Sequence, residues 1–198
     1  MKKSIKYVIY ALIILMVAYF VFKFVSAPKY PDIYTPKDIL GNKTGKVVIV
    51  EFSDLQCPAC ARAHPVLKQI YREHINDISI EFYHYPLPIH EFGALAAEGT
   101  ECANDQGKFW DFVEMAYANQ KDLSKKSLKR IAEQIELNST LFNSCLDSGA
   151  KRSIVNADTR EGNLKNIKGT PTFYVNGREL GSWEYSNFKR TIENELRK

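Results

Sequence analysis

The sequence predicts an α/β protein of β-α-β start, helical middle and β-β-α end, preceded by an N-terminal transmembrane helix. Three stretches carry this reading. Val47 to Phe52, apolar but for Glu51, leads into Cys57-Pro58-Ala59-Cys60 and then a helix-compatible segment. Thr172-Phe173-Tyr174-Val175 with Asn176-Gly177 is a hairpin signal, because Asn-Gly tolerates the positive φ angles of a type I′ turn. Tyr7 to Phe22 is uncharged and almost wholly apolar.

The N-terminal stretch sets the organisation. Lys23 interrupts the apolar run and Phe24-Val25 extends it. A helix over residues 7–25 spans about 28 Å, close to the hydrocarbon core of a bilayer. Lys23 can snorkel at its edge. Lys2, Lys3 and Lys6 precede the span, and Asp32 is the first acid. The positive-inside rule then keeps the N-terminus in the cytoplasm and sends the rest outside. A cleaved signal peptide is the rival, with Val25-Ser26-Ala27 as the cleavage pattern. The length of the run and the adjacent Pro28 favour an uncleaved anchor. The expected organisation is therefore an anchor at 1–27, a linker at 28–45 and a folded domain at 46–198. The net charge of +4 equals the four lysines of the anchor, so the remainder is neutral and offers no basic face for nucleic acid.

The elements follow in order. Ala27 to Gly45, with Pro28, Pro31, Pro36, Gly41 and Gly45, reads as a tether with one helical turn near Lys37–Leu40. Val47–Ser53 reads as a strand covered on both faces. Leu55 to His74 reads as a helix that Pro65 should kink. Ile78–Tyr85 reads as a second strand, which makes a right-handed βαβ unit. From about residue 90 to 163 apolar residues recur at helical spacing. Ser124 and Asn138 offer N-caps there, and Gly149 offers a stop. The hairpin follows, then an amphipathic helix over Tyr185 to Leu196 with Phe188, Ile192 and Leu196 on one face.

The C-x-x-C is the candidate site. A thiolate is the nucleophile of disulfide exchange, and a helix N-terminus favours the thiolate through unpaired N–H groups and the dipole. Pro58 suits the first turn, where its missing N–H is harmless. Half of a zinc site and a pair of buried structural cysteines are the other readings. Zinc needs a second ligand pair at short spacing, and Cys102 and Cys145 lie 43 residues apart. Those two cysteines sit on apolar stripes of predicted helices. They are two small buried hydrophobes, a structural disulfide or a second redox pair that relays electrons, and an even count in an exported domain favours a structural pairing. His64, His84 and His90 are not assigned to the site.

From Lys46 onward the chain resembles the DsbA-like branch of the thioredoxin superfamily. Val50-Glu51-Phe52-Ser53-Asp54 before the C-x-x-C, Pro65 five residues past Cys60, the helical insertion and Gly169-Thr170-Pro171-Thr172-Phe173 carry the likeness together. The resemblance implies a thioredoxin-like fold and a redox-active disulfide as the whole of the catalytic equipment, with no other cofactor and no metal. It implies that Cys57 is an exposed attacking sulfur and Cys60 a buried resolving one. It also implies a cis bond at Pro171, with Thr170, Pro171, Pro58 and Ala59 on the substrate-facing surface. Glu51 is then a buried acid that moves the proton of Cys60. Ala59 departs from the histidine that strong oxidants of the branch carry, which leaves the direction of electron flow open. The expected function is oxidation of cysteine pairs in exported polypeptides, with a quinone-linked membrane reoxidase of the DsbB or vitamin K epoxide reductase type as partner. A reductase or isomerase is the alternative within the class, and a non-catalytic holdase the alternative outside it.

Overall fold

The computed structural model describes residues 2–25 and 38–198, in two separate units. Helix α1, Lys2–Val25, belongs to the first. Its exposed side chains include Ile9, Leu12, Ile13, Leu15, Val17 and Phe20, so they point to every side of the helix. Among the described residues no helix is long and apolar enough to cross a membrane. Most of the expected tether, residues 26–37, lies outside the described residues.

The second unit holds a five-stranded sheet in the order β1-β3-β2-β4-β5. Its strands are β1 (Ile39–Gly41), β2 (Val47–Ser53), β3 (Ile78–His84), β4 (Thr172–Val175) and β5 (Arg178–Glu179). Strands β2 and β3 are parallel and joined through α2 (Pro58–Glu73), as the apolar pattern predicts. The other pairings are antiparallel.

Three local expectations are corrected. Residues 39–41 form strand β1 and not a helical turn, so the folded unit starts inside the expected linker. Gly41 lets the chain turn there: its φ is +95°, and a Cβ would meet the Ile78 carbonyl oxygen at 2.5 Å. Helix α2 begins at Pro58 and not at Leu55, because Cys57 N–H bonds back to the Asp54 carbonyl at 2.9 Å and closes a turn. Cys57 is consequently the N-cap of the helix, ahead of its first turn. Strand β3 stops at His84, one residue early.

Why these residues form these layers follows from period and face. Val47 and Ile49 of β2, with Ile78 and Ile80 of β3, point to the side covered by Ala63, Leu67 and Ile70 of α2. Phe188 and Ile192 of α8 (Tyr185–Leu196) close that core, and Phe173 meets Phe188 edge to face. Helix α2 runs through Pro65 without a break. Asn176 and Gly177 turn the hairpin with φ of 47° and 78°. The Asn176 side chain also accepts from Val48 N–H, which ties the turn to the central strand.

The insertion holds α3 (Gly93–Asn104), α4 (Phe109–Ala118), α5 (Lys125–Gln134), α6 (Ser139–Ser148) and α7 (Arg152–Leu164). Ser124 and Asn138 cap α5 and α6, and Gly149 ends α6 in the left-handed region. Cys102 on α3 and Cys145 on α6 are bonded to each other, both buried. The bond closes a loop with a sequence separation of 43. Freeing that loop in the unfolded chain lowers stability by about 4 kcal/mol in the chain-entropy model. The doubly substituted Cys102→Ala/Cys145→Ala protein should show this loss, within a factor of about two, in guanidinium unfolding.

Candidate active site

The site is assembled by sheet register. Phe52 of β2 pairs with Thr172 of β4, and the two strands are antiparallel. The residues that follow Phe52 therefore run beside those that precede Thr172. This brings Cys57 to Thr170, whose carbonyl oxygen lies 3.3 Å from Cys57 Sγ. The Thr170–Pro171 peptide bond is cis. Pro58 is exposed, while Ala59, Thr170 and Pro171 are half-buried. These four residues rim the sulfur.

The two cysteines are free thiols in different surroundings. Cys57 keeps 6% of its surface and Cys60 none. Cys57 is thus less open than the resemblance implies. The Thr170 loop stands on one side, and Gln120 Nε2 donates to the carbonyls of Leu55 and Cys57 at 2.7 and 2.9 Å on the other. The Cys57 pKa falls to about 5. A hydrogen bond from the Cys60 thiol is the main cause. Burial opposes it, and the Thr170 side chain and the N–H groups of Cys60 and Ala59 add to the lowering. Those N–H groups are the unpaired donors of the α2 N-terminus, aimed at the sulfur. Cys60 moves the opposite way. Burial raises its pKa most, and its bond to Cys57 and the charge of Glu51 raise it further.

Glu51 comes close enough for its charge to act on Cys60 by the same periodicity that builds the core. Val47, Ile49, Glu51 and Ser53 share one face of β2, and Cys60, Ala63, Leu67 and Ile70 share one stripe of α2. The apolar part of each makes the core, and the ends meet at the site. Glu51 has no exposed surface, and burial raises its pKa to about 7 against a weaker lowering by Ser53. Its Oε1 accepts from Ser53 Oγ at 2.7 Å, and Ser53 Oγ lies 2.7 Å from the Tyr117 hydroxyl. Burial raises the Tyr117 pKa well above the usual phenol value.

Other residues position the site without any sequence signal of function. Asp54 is buried and works as a clamp. Its carboxylate accepts from Gln56 N–H at 2.8 Å, from Leu87 N–H at 2.8 Å and from His90 Nδ1 at 2.6 Å. It packs so closely on the start of α3 that a Cβ on Gly93 would meet Asp54 Oδ1 at 2.7 Å. His84 is buried against Glu101 instead, at 3.1 Å. His64 stacks on Tyr117 with ring centroids 4.9 Å apart and reaches Glu114 at 3.4 Å. Ser53 could have been read from the sequence, since i and i+2 of a strand share a face with Glu51. Tyr117, Asp54 and Gln120 carry no such signal.

A family model described as thioredoxin matches residues 35–194, upstream of the expected boundary at Lys46. Among curated proteins, the Na(+)/H(+) antiporter NhaA 3 of Salinispora tropica is 31% identical over 153 residues, which cover 74% of this chain and 23% of that protein. The chain spans about a quarter of the length of the curated relatives it matches. Among solved structures, oxidised BdbD from Bacillus subtilis superposes with a TM-score of 0.75 at 28% identity, over 82% of this chain and 94% of that one. The α-DsbA1 of Wolbachia pipientis has a TM-score of 0.69 at 23% identity, over 83% of this chain and 93% of that one, and shares the fold.

Two titrations check the electrostatics. In the reduced protein, thiolate absorbance should rise for one sulfur at about pH 5, and Cys57→Ala should remove that step. In the oxidised protein neither cysteine titrates, and Glu51 can be read alone. Its folded pKa of about 7 lies above the ordinary glutamate value of 4.5. Its contribution to stability is therefore full below about pH 4.5 and is lost as the pH rises to about 7. Wild-type protein should lose stability across that window relative to Glu51→Gln, measured by urea unfolding at pH 4.5, 6 and 7.5.

Proposed function

The chain belongs to the thioredoxin superfamily, in its branch of DsbA-like thiol-disulfide oxidoreductases, and we propose that it oxidises cysteine pairs in exported polypeptides from the outer face of a membrane. One observation carries the direction of electron flow. Cys57 is stabilised as a thiolate, with its pKa near 5, whereas Cys60 is held as a thiol. A stabilised thiolate favours the reduced enzyme and makes its disulfide a strong oxidant. The hydrogen bond from Cys60 supplies most of this, with the Thr170 side chain and helix-terminal N–H groups adding to it, even though Ala59 stands where strong oxidants carry a histidine.

The reaction uses the two sulfurs in turn. A substrate thiolate attacks Cys57 of the disulfide form, and the Cys57–Cys60 bond breaks with its electron pair going to Cys60. Glu51, protonated at that moment, gives Cys60 its proton. The second substrate thiolate attacks the substrate sulfur of the mixed disulfide. Cys57 leaves as the thiolate that its surroundings favour, and two electrons have passed from substrate to enzyme. The Thr170–Pro171 edge, with Pro58 and Ala59, offers extended substrate a place to lie in the manner of strand addition.

Reoxidation calls for a second oxidant, and we assign it to a quinone-linked membrane enzyme of the DsbB or vitamin K epoxide reductase type. The anchor rests on the apolar run Tyr7–Phe22, the lysines before it and the apolar side chains that α1 exposes all round. The same evidence supports a single pass with the N-terminus in the cytoplasm and the catalytic unit outside.

The reduction potential against glutathione tests the direction. An oxidase should lie well above the value of about −270 mV typical of thioredoxin, toward about −120 mV. A value at the thioredoxin end sinks the oxidase reading in favour of a reductase. Cys57→Ala should abolish oxidation of a reduced, unfolded substrate, and full activity in that variant would favour a holdase.

A further inference from the structure

Ser53 and Tyr117 are buried beside the site, and the cysteine chemistry itself does not call for either. Ser53 Oγ donates to Glu51 Oε1 and also contacts the Tyr117 hydroxyl, each at 2.7 Å, and it lies within hydrogen-bond reach of the Cys60 sulfur. A serine hydroxyl has one proton to give. That proton goes to Glu51, so the proton in the second contact comes from Tyr117. His64 only lays its ring against Tyr117, and among the described residues Ser53 is the one acceptor of the phenol. The three groups therefore form a chain of donors that runs one way, from Tyr117 through Ser53 to Glu51. Reversing it would leave the phenolic proton in the interior with nothing to accept it, which is costly.

The fixed direction has a chemical result. Oε1 of Glu51 stays an acceptor whether or not the carboxyl is protonated. Oε2 is buried and has no hydrogen-bond partner among the described residues. We propose that Ser53 and Tyr117 are positioning residues that hold Oε1 as a permanent acceptor and so make Oε2 the oxygen that exchanges the proton with Cys60. This deepens the proton-carrier reading of Glu51 and rests on it. The titratable groups around Glu51 are Cys60 on α2, Tyr117 on α4 and Asp54 just past the end of β2, with His64 behind Tyr117. Its strand neighbours, Phe82 on β3 and Phe173 on β4, are uncharged.

The step concerned is resolution of a mixed disulfide. The Cys60 proton moves to Glu51 Oε2, the Cys60 sulfur attacks Cys57, the bond from Cys57 to the bound thiol breaks, and that thiol leaves as a thiolate with the bonding pair. Ellman's reagent reads it directly in the reduced full-length protein. Cys57 releases one thionitrobenzoate as the mixed disulfide forms, and Cys60 releases the second by resolving it. Glu51→Gln should slow the second release by about a hundredfold, the lower end of general-base effects. At pH 7, Ser53→Ala should slow it about tenfold and Tyr117→Phe about threefold, each with the pH midpoint moved upward, and Ser53→Thr should recover the rate. In a Glu51→Gln background Tyr117→Phe should not change the second release by more than about 1.5-fold, and Ser53→Ala, whose hydroxyl also bonds to Cys60, should slow it by less than about threefold. Equal slowing in both backgrounds would mean packing alone and overturn the proposal. An unchanged second release in Ser53→Ala and Tyr117→Phe, with Glu51→Gln slow, overturns it and spares the role of Glu51. A wild-type second release in Glu51→Gln removes that role, and the proposal with it.

Discussion

The antiparallel pairing of Phe52 with Thr172 is the constraint on which the rest depends. It joins a strand near the start of the folded unit to one near its end, and the loops beyond that pair become neighbours. A slip of one residue would turn Glu51 and Ser53 to the opposite face of the sheet and move Thr170 away from Cys57. The register is secured from both sides. Phe173 and Val175 are buried in the core, and Asn176 bonds to Val48 through its backbone and its side chain.

Given that register, the chemistry is a matter of unequal surroundings. One sulfur sits at a helix start, where N–H groups point at it, and keeps a small part of its surface open. The other sits one turn on, in the interior, beside a carboxyl group. The same burial raises both Cys60 and Glu51 and so favours the protonated form of each, while Cys57 is driven the other way. The cost of burying Glu51 is offset by packing elsewhere on the same strand face, where Val47 and Ile49 are fully buried. The disulfide in the insertion is a different matter: Cys102 and Cys145 join two helices of the insertion and touch none of this.

Much of this could be read from the residues. Strands β2 and β3, the hairpin and α8 declare themselves by period, and the caps of α5 and α6 by residue type, because those signals are local. The C-x-x-C and the Gly-Thr-Pro-Thr-Phe stretch stand out for the same reason. Strand β1 was hidden, since a three-residue edge strand has no period to show and owes its existence to β3. Tyr117 was hidden in an ordinary apolar stripe of α4, and only tertiary packing turns its hydroxyl toward Ser53. Asp54 stood out only as the last residue of the Val-Glu-Phe-Ser-Asp stretch. Its role as a clamp depends on Leu87, His90 and Gly93, which lie more than thirty positions away and meet it only in the folded chain.

The hydrogen bond between Cys57 and Thr170 spans 113 positions. A ribosome makes this chain from its N-terminus, so the reactive pair emerges long before the loop that faces it. Until β4 arrives there is no sheet edge at Thr170 for another polypeptide to lie on, and Glu51 lacks its cover from Phe173. Competence thus comes late in the making of each copy, and a fragment ending between Cys60 and the hairpin would carry both sulfurs yet lack the loop that faces them.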